Sequence, residues 1–384
     1  MNVQLLYSNV YDKLWMRKKY KTGVGKYTKN QKRLELQKQF PLTIEQKKQI
    51  DDYYMTYYGS RIPYDCHQNF AVHTGVFRHD YFADFLWSPY FEHFMNVKTN
   101  YTYAFEDKGC LPFVSQAAHI KMPHQIVINQ FGIFRDADNK MINFKTVKEL
   151  LFNVGPVIIK PTISSGSAKG IFFADFDNGI DKLSGKEVVD VIGNSQKNYV
   201  VQKIIKCHED LANLYSGCVN TFRIITYRWK DDFYAMPGVL RVGSGGGRVD
   251  NAHAGGMFVA IGDDGVIKGK AMTEFMNVYE KHPDSGILFD GYKIKNYPKV
   301  LKTAIKMHSV MPMIGTVNWD LTIDEQGEPM VIEANFLQGG FWIIQCAHAS
   351  VPFGEHQQEV LQWIRKMKSL PYSKRGEYAF GNGM

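Results

Sequence analysis

Cysteine is scarce and unpatterned. The five cysteines, Cys66, Cys110, Cys207, Cys218 and Cys346, are odd in number and never stand in a CxxC spacing. That speaks against a disulfide framework and a zinc site, and leaves buried or spare thiols. Long apolar runs are missing too: no stretch approaches the roughly 18 to 20 apolar residues that span a bilayer. The opening MNVQLLYSNVYDKLW has no basic flank, continuous apolar run or small-residue cleavage site, so no secretory signal is read and a cytoplasmic location is expected. Aromatic residues make up 14% of the chain, yet no RNP pattern, helix-turn-helix spacing or zinc finger accompanies them, and no nucleic-acid partner is expected. Neither internal repeats nor low-complexity tracts occur.

What is present is the composition of a globular chain, 45% hydrophobic and 22% charged over 384 residues. At about 150 residues per domain, this length predicts two or three packed subdomains, enough to enclose a cleft. The net charge is +8, and its excess gathers early, at Arg17, Lys18, Lys19, Lys21, Lys26, Lys29, Lys32, Arg33 and Lys38. Such a segment is either a solvated helical face or a contact for anionic lipid or acidic glycan, a peripheral contact that salt would weaken.

Residues 1–95 read as a helical extension, with Thr43 and Gln46 spaced as a capping box ahead of IEQKKQIDDYYMTYY. From about 66 to 155, short strand-like runs such as QIVIN alternate with turns and a helix at TVKELL, and 96–155 reads as a small α/β subdomain. From 156 onward the runs PVIIK, YVVQKII, FRIITYRW, GMFVAIG, TVNWDLTI and PMVIEANF, separated by Gly and Asp/Asn turns, predict a mainly antiparallel sheet with a few helices. The fold class is α+β, and the chemistry is expected in this C-terminal part.

Two motifs carry it. Lys160 ends the apolar strand GPVIIK and is followed by Pro161 and a loop of small residues. There Ser164, Ser165 and Gly166 leave backbone N–H groups open to phosphate oxygens while Lys160 adds a point charge. No GxxxxGK[ST] sequence is present, so this is not a Walker A loop. The second motif, GTVNWDLTIDEQGEPMVIEANF, reads as two strands joined at Glu325, Gln326 and Gly327. A turn centred between Gln326 and Gly327 sets Asp320 opposite Glu333, and period-two alternation puts Glu333 and Asn335 on one face. Two carboxylates that close repel, and a hard divalent cation relieves the repulsion; Mg²⁺ takes carboxylate and amide oxygens and leaves room for phosphates.

In their order, Lys160 with its Ser/Gly loop, VVQKII, NTFRIIT, Asp320 and Glu333-Ala-Asn335 resemble an ATP-grasp domain. HPDSGI and RVDNAHAGG resemble most the sugar-transfer-associated ATP-grasp proteins encoded with exopolysaccharide genes. The resemblance spans roughly residues 100–365. It implies a nucleotide held between two α+β subdomains, a lid subdomain over 156–210 and a C-terminal subdomain with the metal site over 211–384. Lys108 and Lys160 would neutralise ATP phosphates. Gln202, Lys203, Ile204 and Ile205 would form the adenine hinge, and Asp210 or Glu209 would reach the ribose. Arg223 would steady the transferred phosphoryl group, and Asp320, Glu333 and Asn335 would bind Mg²⁺.

The implied reaction is ATP- and Mg²⁺-dependent ligation of a carboxylate and an amine through an acyl phosphate. Arg241, Asn251 and His253 flank the glycine-rich stretch GSGGGRVDNAHAGG and are candidates for the acceptor region, Arg241 gripping a carboxylate and neutral His253 taking the amine proton. The family's genomic company points to a uronic acid or related glycan carboxylate joined to an amino acid or amine. Rival readings are an ATP-grasp kinase acting on a hydroxyl, a peptide-forming amino acid ligase and an inactive nucleotide-binding module.

Overall fold

The computed structural model describes residues 3–96, 101–163, 170–193, 198–250, 255–337 and 339–384. Ser164, Ser165 and Gly166 of the expected lid, together with Asn251 and His253, lie outside the described residues.

The chain opens with helices at Val3–Thr28, Gln31–Gln37, Ile44–Tyr57 and Asp65–Thr74. The Thr43 hydroxyl accepts the Gln46 N–H and the Gln46 side chain accepts the Thr43 N–H, so the capping box read from sequence starts the third helix. Helix persists where strand-like runs were expected. A π-helical turn at Trp87–Glu92 and helices at His93–Asn96, Tyr101–Glu106 and Leu111–Ala117 all precede the first strand. The aromatic richness of this region serves helix packing: Phe70, Tyr81, Phe82, Phe85, Trp87, Phe91 and Phe94 are all buried. Strand preference of such residues is largely a preference for packed surface, which a helical core supplies equally well.

Seven strands make the first sheet: β1 (Gln125–Gln130), β2 (Ile133–Arg135), β3 (Met141–Ile142), β4 (Gly155–Pro161), β5 (Phe172–Asp177), β6 (Ile180–Asp181) and β7 (Tyr199–Lys203). They are antiparallel in the order β3-β2-β1-β7-β4-β5-β6. Strands from the segments read as 96–155 and 156–210 thus join one layer, through the pairing of β1 with β7 and β7 with β4. Along β4, Val157 and Ile159 enter a core with Val147 and Leu151 of the helix Phe144–Leu151. The alternate positions Pro156, Ile158 and Lys160 face a cleft on the other side.

The second sheet holds β8 (Thr221–Trp229), β9 (Asp232–Ala235), β10 (Val239–Val242), β11 (Met257–Ile261), β12 (Ile267–Met272), β13 (Val278–Tyr279), β14 (Thr316–Ile323) and β15 (Pro329–Asn335). Its order is β13-β12-β11-β10-β8-β14-β15, with β9 folded back on β8. On one face Phe222, Ile224, Val317, Trp319 and Leu321 share a core with Tyr297, Val300, Ala304 and Met307 of the helix Tyr297–Ser309. On the other, Ile225, Tyr227, Trp229, Val239 and Phe258 share one with the N-terminal helices and with the helices Trp342–His348 and Gln357–Ser369. Arg223, two residues before Ile225, and Arg241, two after Val239, belong to this second face by alternation. So does Asp320, which pairs across from Arg223.

The N-terminal helices are therefore a layer of the fold. Asp12 of the first helix is hydrogen-bonded to His93 Nε2 at 2.6 Å and accepts from Arg375 Nη1 at 2.5 Å, tying both ends of the chain together. Burial alone would raise the Asp12 carboxyl, but its bonds to His93 and Arg375 hold it below the ordinary value. All five cysteines are free, with Cys66 and Cys346 buried. No helix among the described residues is long and apolar enough to cross a membrane.

Candidate active site

The β14–β15 hairpin turns at Asp324–Glu328, where Asp324 Oδ1 accepts the Gln326 and Glu328 N–H groups and Gly327 takes a φ of 80°. In register, Asp320 stands opposite Glu333 and Asn318 opposite Asn335. The pairing then slips, since Leu321 meets Val331 and Ile332 is left over as a bulge. That bulge lets the consecutive residues Ile332 and Glu333 both line the cleft, which strict alternation forbids.

Asp320 is 8% exposed, and cations surround it. Its Oδ1 accepts Arg223 Nε at 2.7 Å, and its Oδ2 receives Arg241 Nη2 at 3.1 Å and Arg223 Nη2 at 3.3 Å. Arg241 also donates to the Thr221 hydroxyl through Nε at 3.1 Å and reaches Asp250 Oδ1 at 3.5 Å. Asp250 Oδ2 accepts the Thr221 N–H at 3.0 Å. Burial would lift the Asp320 carboxyl, but the Arg223 and Arg241 guanidiniums hold it below its ordinary value. For Asp250 burial wins, and its carboxyl is raised despite Arg241. Glu333 pairs with Lys108, Oε1 to Nζ at 3.2 Å, which brings Lys108 to the site from the helical region.

Across from this cluster, Lys160 looks out from the first sheet into a cleft of about 760 Å³. It is 8% exposed and has no ion-pair partner among the described residues. Burial pushes its ammonium down to about 8 against the pull of Glu333, with the charge of Lys108 lowering it further. A buried cation lacking a fixed countercharge is suited to a mobile anion. The apolar part of its lining is made by Ile158, Ile171, Phe173, Ile204, Ile205 and Ile332.

Lys203, Ile204 and Ile205 of the expected hinge line this cleft. Gln202 does not; it is 3% exposed and its Oε1 has no hydrogen-bond partner among the described residues. Asp210 departs from its expected place at a ribose. The chain turns there into the short helix Glu209–Ala212, and the Asp210 carboxylate is taken up by the Lys295 N–H at 3.0 Å, off the cleft wall. Glu325 lines the wall instead. The sequence reading also missed Thr221, Asp250 and Arg248. Arg248 lies over the Phe173 ring at 5.4 Å and so links the two walls. Asp250 immediately precedes the quoted Asn251, but only the pairing of β10 with β8 brings Arg241 beside Thr221.

Among the described residues no group of three or more Asp, Glu, His or Cys side chains is placed to hold a metal. The donor types of this wall are ones that magnesium takes, but both Asp320 oxygens are engaged by Arg223 and Arg241, and Glu333 by Lys108. Asp320, Glu333 and Asn335 supply two opposed carboxylates and an amide on one wall, and Mg²⁺ is commonly held by one or two carboxylates with phosphates and waters completing its shell. An ion here would share Asp320 with Arg223 and Arg241.

A family profile described as sugar-transfer associated ATP-grasp matches residues 88–360. Solved structures similar to this chain include the L-amino acid ligase from Bacillus licheniformis, at 15% identity over 68% of this chain and 48% of that one, TM-score 0.38. VanG D-Ala:D-Ser ligase from Enterococcus faecalis is similar at 12% identity over 68% and 62%, TM-score 0.41. D-alanine–D-alanine ligase from Bacillus anthracis is similar at 15% identity over 72% and 70%, TM-score 0.39. The chain spans about half the length of the first of these. No curated protein sequence matches it.

Proposed function

The chain belongs to the sugar-transfer associated ATP-grasp family, and from that premise we propose that it is an ATP- and Mg²⁺-dependent carboxylate–amine ligase. The observation that carries this reading is the charge pattern of the cleft. Lys160, buried without an ion-pair partner among the described residues, faces the Asp320 and Glu333 carboxylates across a space lined in part by apolar side chains. That arrangement suits a nucleotide whose base meets the apolar lining and whose phosphates meet Lys160.

The chain's own residues would divide the work as follows. The backbone of Lys203 to Ile205 meets the adenine edge, and Lys160 and Lys108 neutralise phosphate charge. Asp320, Glu333 and Asn335 would hold Mg²⁺, which when bound screens the phosphate oxygens. Arg223, held by Asp320, would meet the charge that grows on the transferred phosphoryl group. A substrate carboxylate oxygen attacks the γ-phosphorus and ADP leaves; an amine then attacks the acyl carbon and inorganic phosphate leaves. Arg241 is the residue for gripping a carboxylate, and Asn251 and His253 are kept as acceptor-side residues from the sequence. The substrates proposed are a uronic acid or related glycan carboxylate and an amino acid or amine, in cytoplasmic polysaccharide assembly.

The test is ATP turnover with magnesium against a panel of uronic acids, glycans and amino acids, following ADP, free phosphate and product mass together. ADP and phosphate that form only when a carboxylate and an amine are both present, with a condensed product mass, support the ligase. Phosphate retained on an acceptor hydroxyl replaces it with a kinase.

A further inference from the structure

Segment 336–341 directly follows Asn335, the last residue of β15. The described part of this segment is gripped from one side by residues of the N-terminal helical region. Asn96, fully buried, donates through Nδ2 to Phe336 O at 2.6 Å and to Thr316 O at 2.7 Å, and its Oδ1 accepts the Gly315 and Thr316 N–H groups at 3.0 Å. Glu92, 1% exposed, accepts the Gly339 N–H through Oε1 at 3.1 Å and the Ser88 hydroxyl through Oε2 at 3.0 Å. Trp87 stacks on Phe341 with centroids 4.5 Å apart and planes 7° from parallel. Glu106 takes backbone hydrogen bonds from Phe336 and Leu337.

On its other side the segment presses on the charged cluster. A Cβ at Gly339 would stand 2.1 Å from Asn318 Cγ, and one at Gly340 would stand 3.4 Å from Arg223 Nη1. Asn318 lies two residues before Asp320 on β14, is fully buried and has no partner for its Oδ1 among the described residues. The π-helical turn that carries Trp87 and Glu92 is itself a costly backbone form, found most often where a side chain must be placed for function. Burying a carboxylate at position 92 is costly too, and a helix used only for packing has no need of it.

We propose that Glu92 and Asn96, with Trp87, are positioning residues that make the helical region a working part of the active site. They fix Phe336, Leu337 and the stretch from Gly339 to Phe341 against Arg223 and Asn318, and so hold Arg223 and the adjoining Asn335 in place for phosphoryl transfer. The proposal rests on the ligase reading for the reaction that Arg223 serves. Lys160 and the apolar lining of the cleft, on which nucleotide affinity draws, lie outside this stretch.

The test compares Glu92→Ala with Glu92→Gln, since glutamine keeps an oxygen for the Gly339 N–H. Hydrogen exchange of the peptide covering 336–341, with saturating magnesium and a non-hydrolysable ATP analogue, is read beside the analogue's Kd and the melting temperature. With whichever substrate pair the panel finds, kcat is read as well. Glu92→Ala should speed exchange in this peptide about tenfold or more, as expected when a buried N–H loses its acceptor. It should leave the analogue's Kd within about twofold and lower kcat tenfold or more, and Glu92→Gln should restore most of each. Unchanged exchange in 336–341, or equal losses of analogue binding, stability and turnover in both variants, would overturn the proposal. Should no pair support ATP use by the wild type, the ligase reading fails on its own, and the exchange result still decides whether Glu92 holds this stretch.

Discussion

Replacing Lys160 by methionine separates a residue that stabilises the fold from one that serves a ligand. The Lys160 ammonium titrates near 8 in the folded protein against an ordinary 10.5, with 8% of its surface exposed. At about 1.4 kcal/mol per unit, holding the charge in the fold is unfavourable on the order of 3 kcal/mol. The penalty is fully present below about pH 8, where folded and unfolded chains both carry the proton. It falls away as pH rises toward 10.5, because the folded state releases its proton first and the unfolded chain then binds more protons. Methionine keeps the length and removes the charge. Free Lys160→Met should therefore be more stable at pH 7 by about 1 to 3 kcal/mol in urea unfolding, with the gain shrinking as pH rises from about 8 and nearly gone by 10.5. Its affinity for a magnesium complex of a non-hydrolysable ATP analogue should drop about ten- to a hundredfold, since a charge-assisted hydrogen bond is worth about 1.5 to 3 kcal/mol. In the wild type, analogue binding at pH 9 should take up a proton, visible as a buffer-dependent binding enthalpy. A variant less stable than wild type that binds the analogue equally well would refute the reasoning.

Glu333→Gln should lose about a hundredfold or more of ATP turnover and stay folded with a modestly lower melting temperature, since Lys108 loses its partner; full turnover would remove Glu333 from the metal site. Asp320→Asn should cost about 3 to 5 kcal/mol by denaturant unfolding, because Arg223 and Arg241 lose their shared countercharge. Asp320's own contribution is complete above its ordinary range near 3.8 and fades only as pH falls below it. Acid unfolding of the wild type should accordingly be steeper than that of Asp320→Asn. Trp87→Ala empties a fully stacked position between Phe91 and Phe341, and chemical unfolding should show a loss of about 3 to 5 kcal/mol.

The β14–β15 hairpin was legible because its two strands and its Gly-containing turn are local, but the pairing next to the turn is centred on Gln326, and Asp320 meets Glu333 only because the bulge at Ile332 shifts the register by one. Lys160 was legible for the same reason, as the end of an apolar strand. The guanidinium pair on Asp320 was not, because Arg223 and Arg241 come from strands 97 and 79 residues away and meet it only through sheet pairing. The resemblance offered Asp210 or Glu209 for a ribose, but His208 caps a short helix there and the Asp210 carboxylate accepts the Lys295 N–H, away from the cleft. Residues 1–95 read as helical, and those described are mainly so, but which faces turn inward was not legible: the long first helix buries Asp12, Met16 and Tyr27 while exposing Val10, Tyr11 and Leu14, and only the tertiary core shows which side is inside.

The most direct test of the central claim is oxygen transfer. With a carboxylate substrate labelled with ¹⁸O in both oxygens, the account predicts that inorganic phosphate released during ligation carries one ¹⁸O per turnover, and that the product keeps the other. Phosphate released without label while a condensed product forms would contradict an acyl phosphate, and with it the roles given to Lys160, Arg223, Asp320 and Glu333.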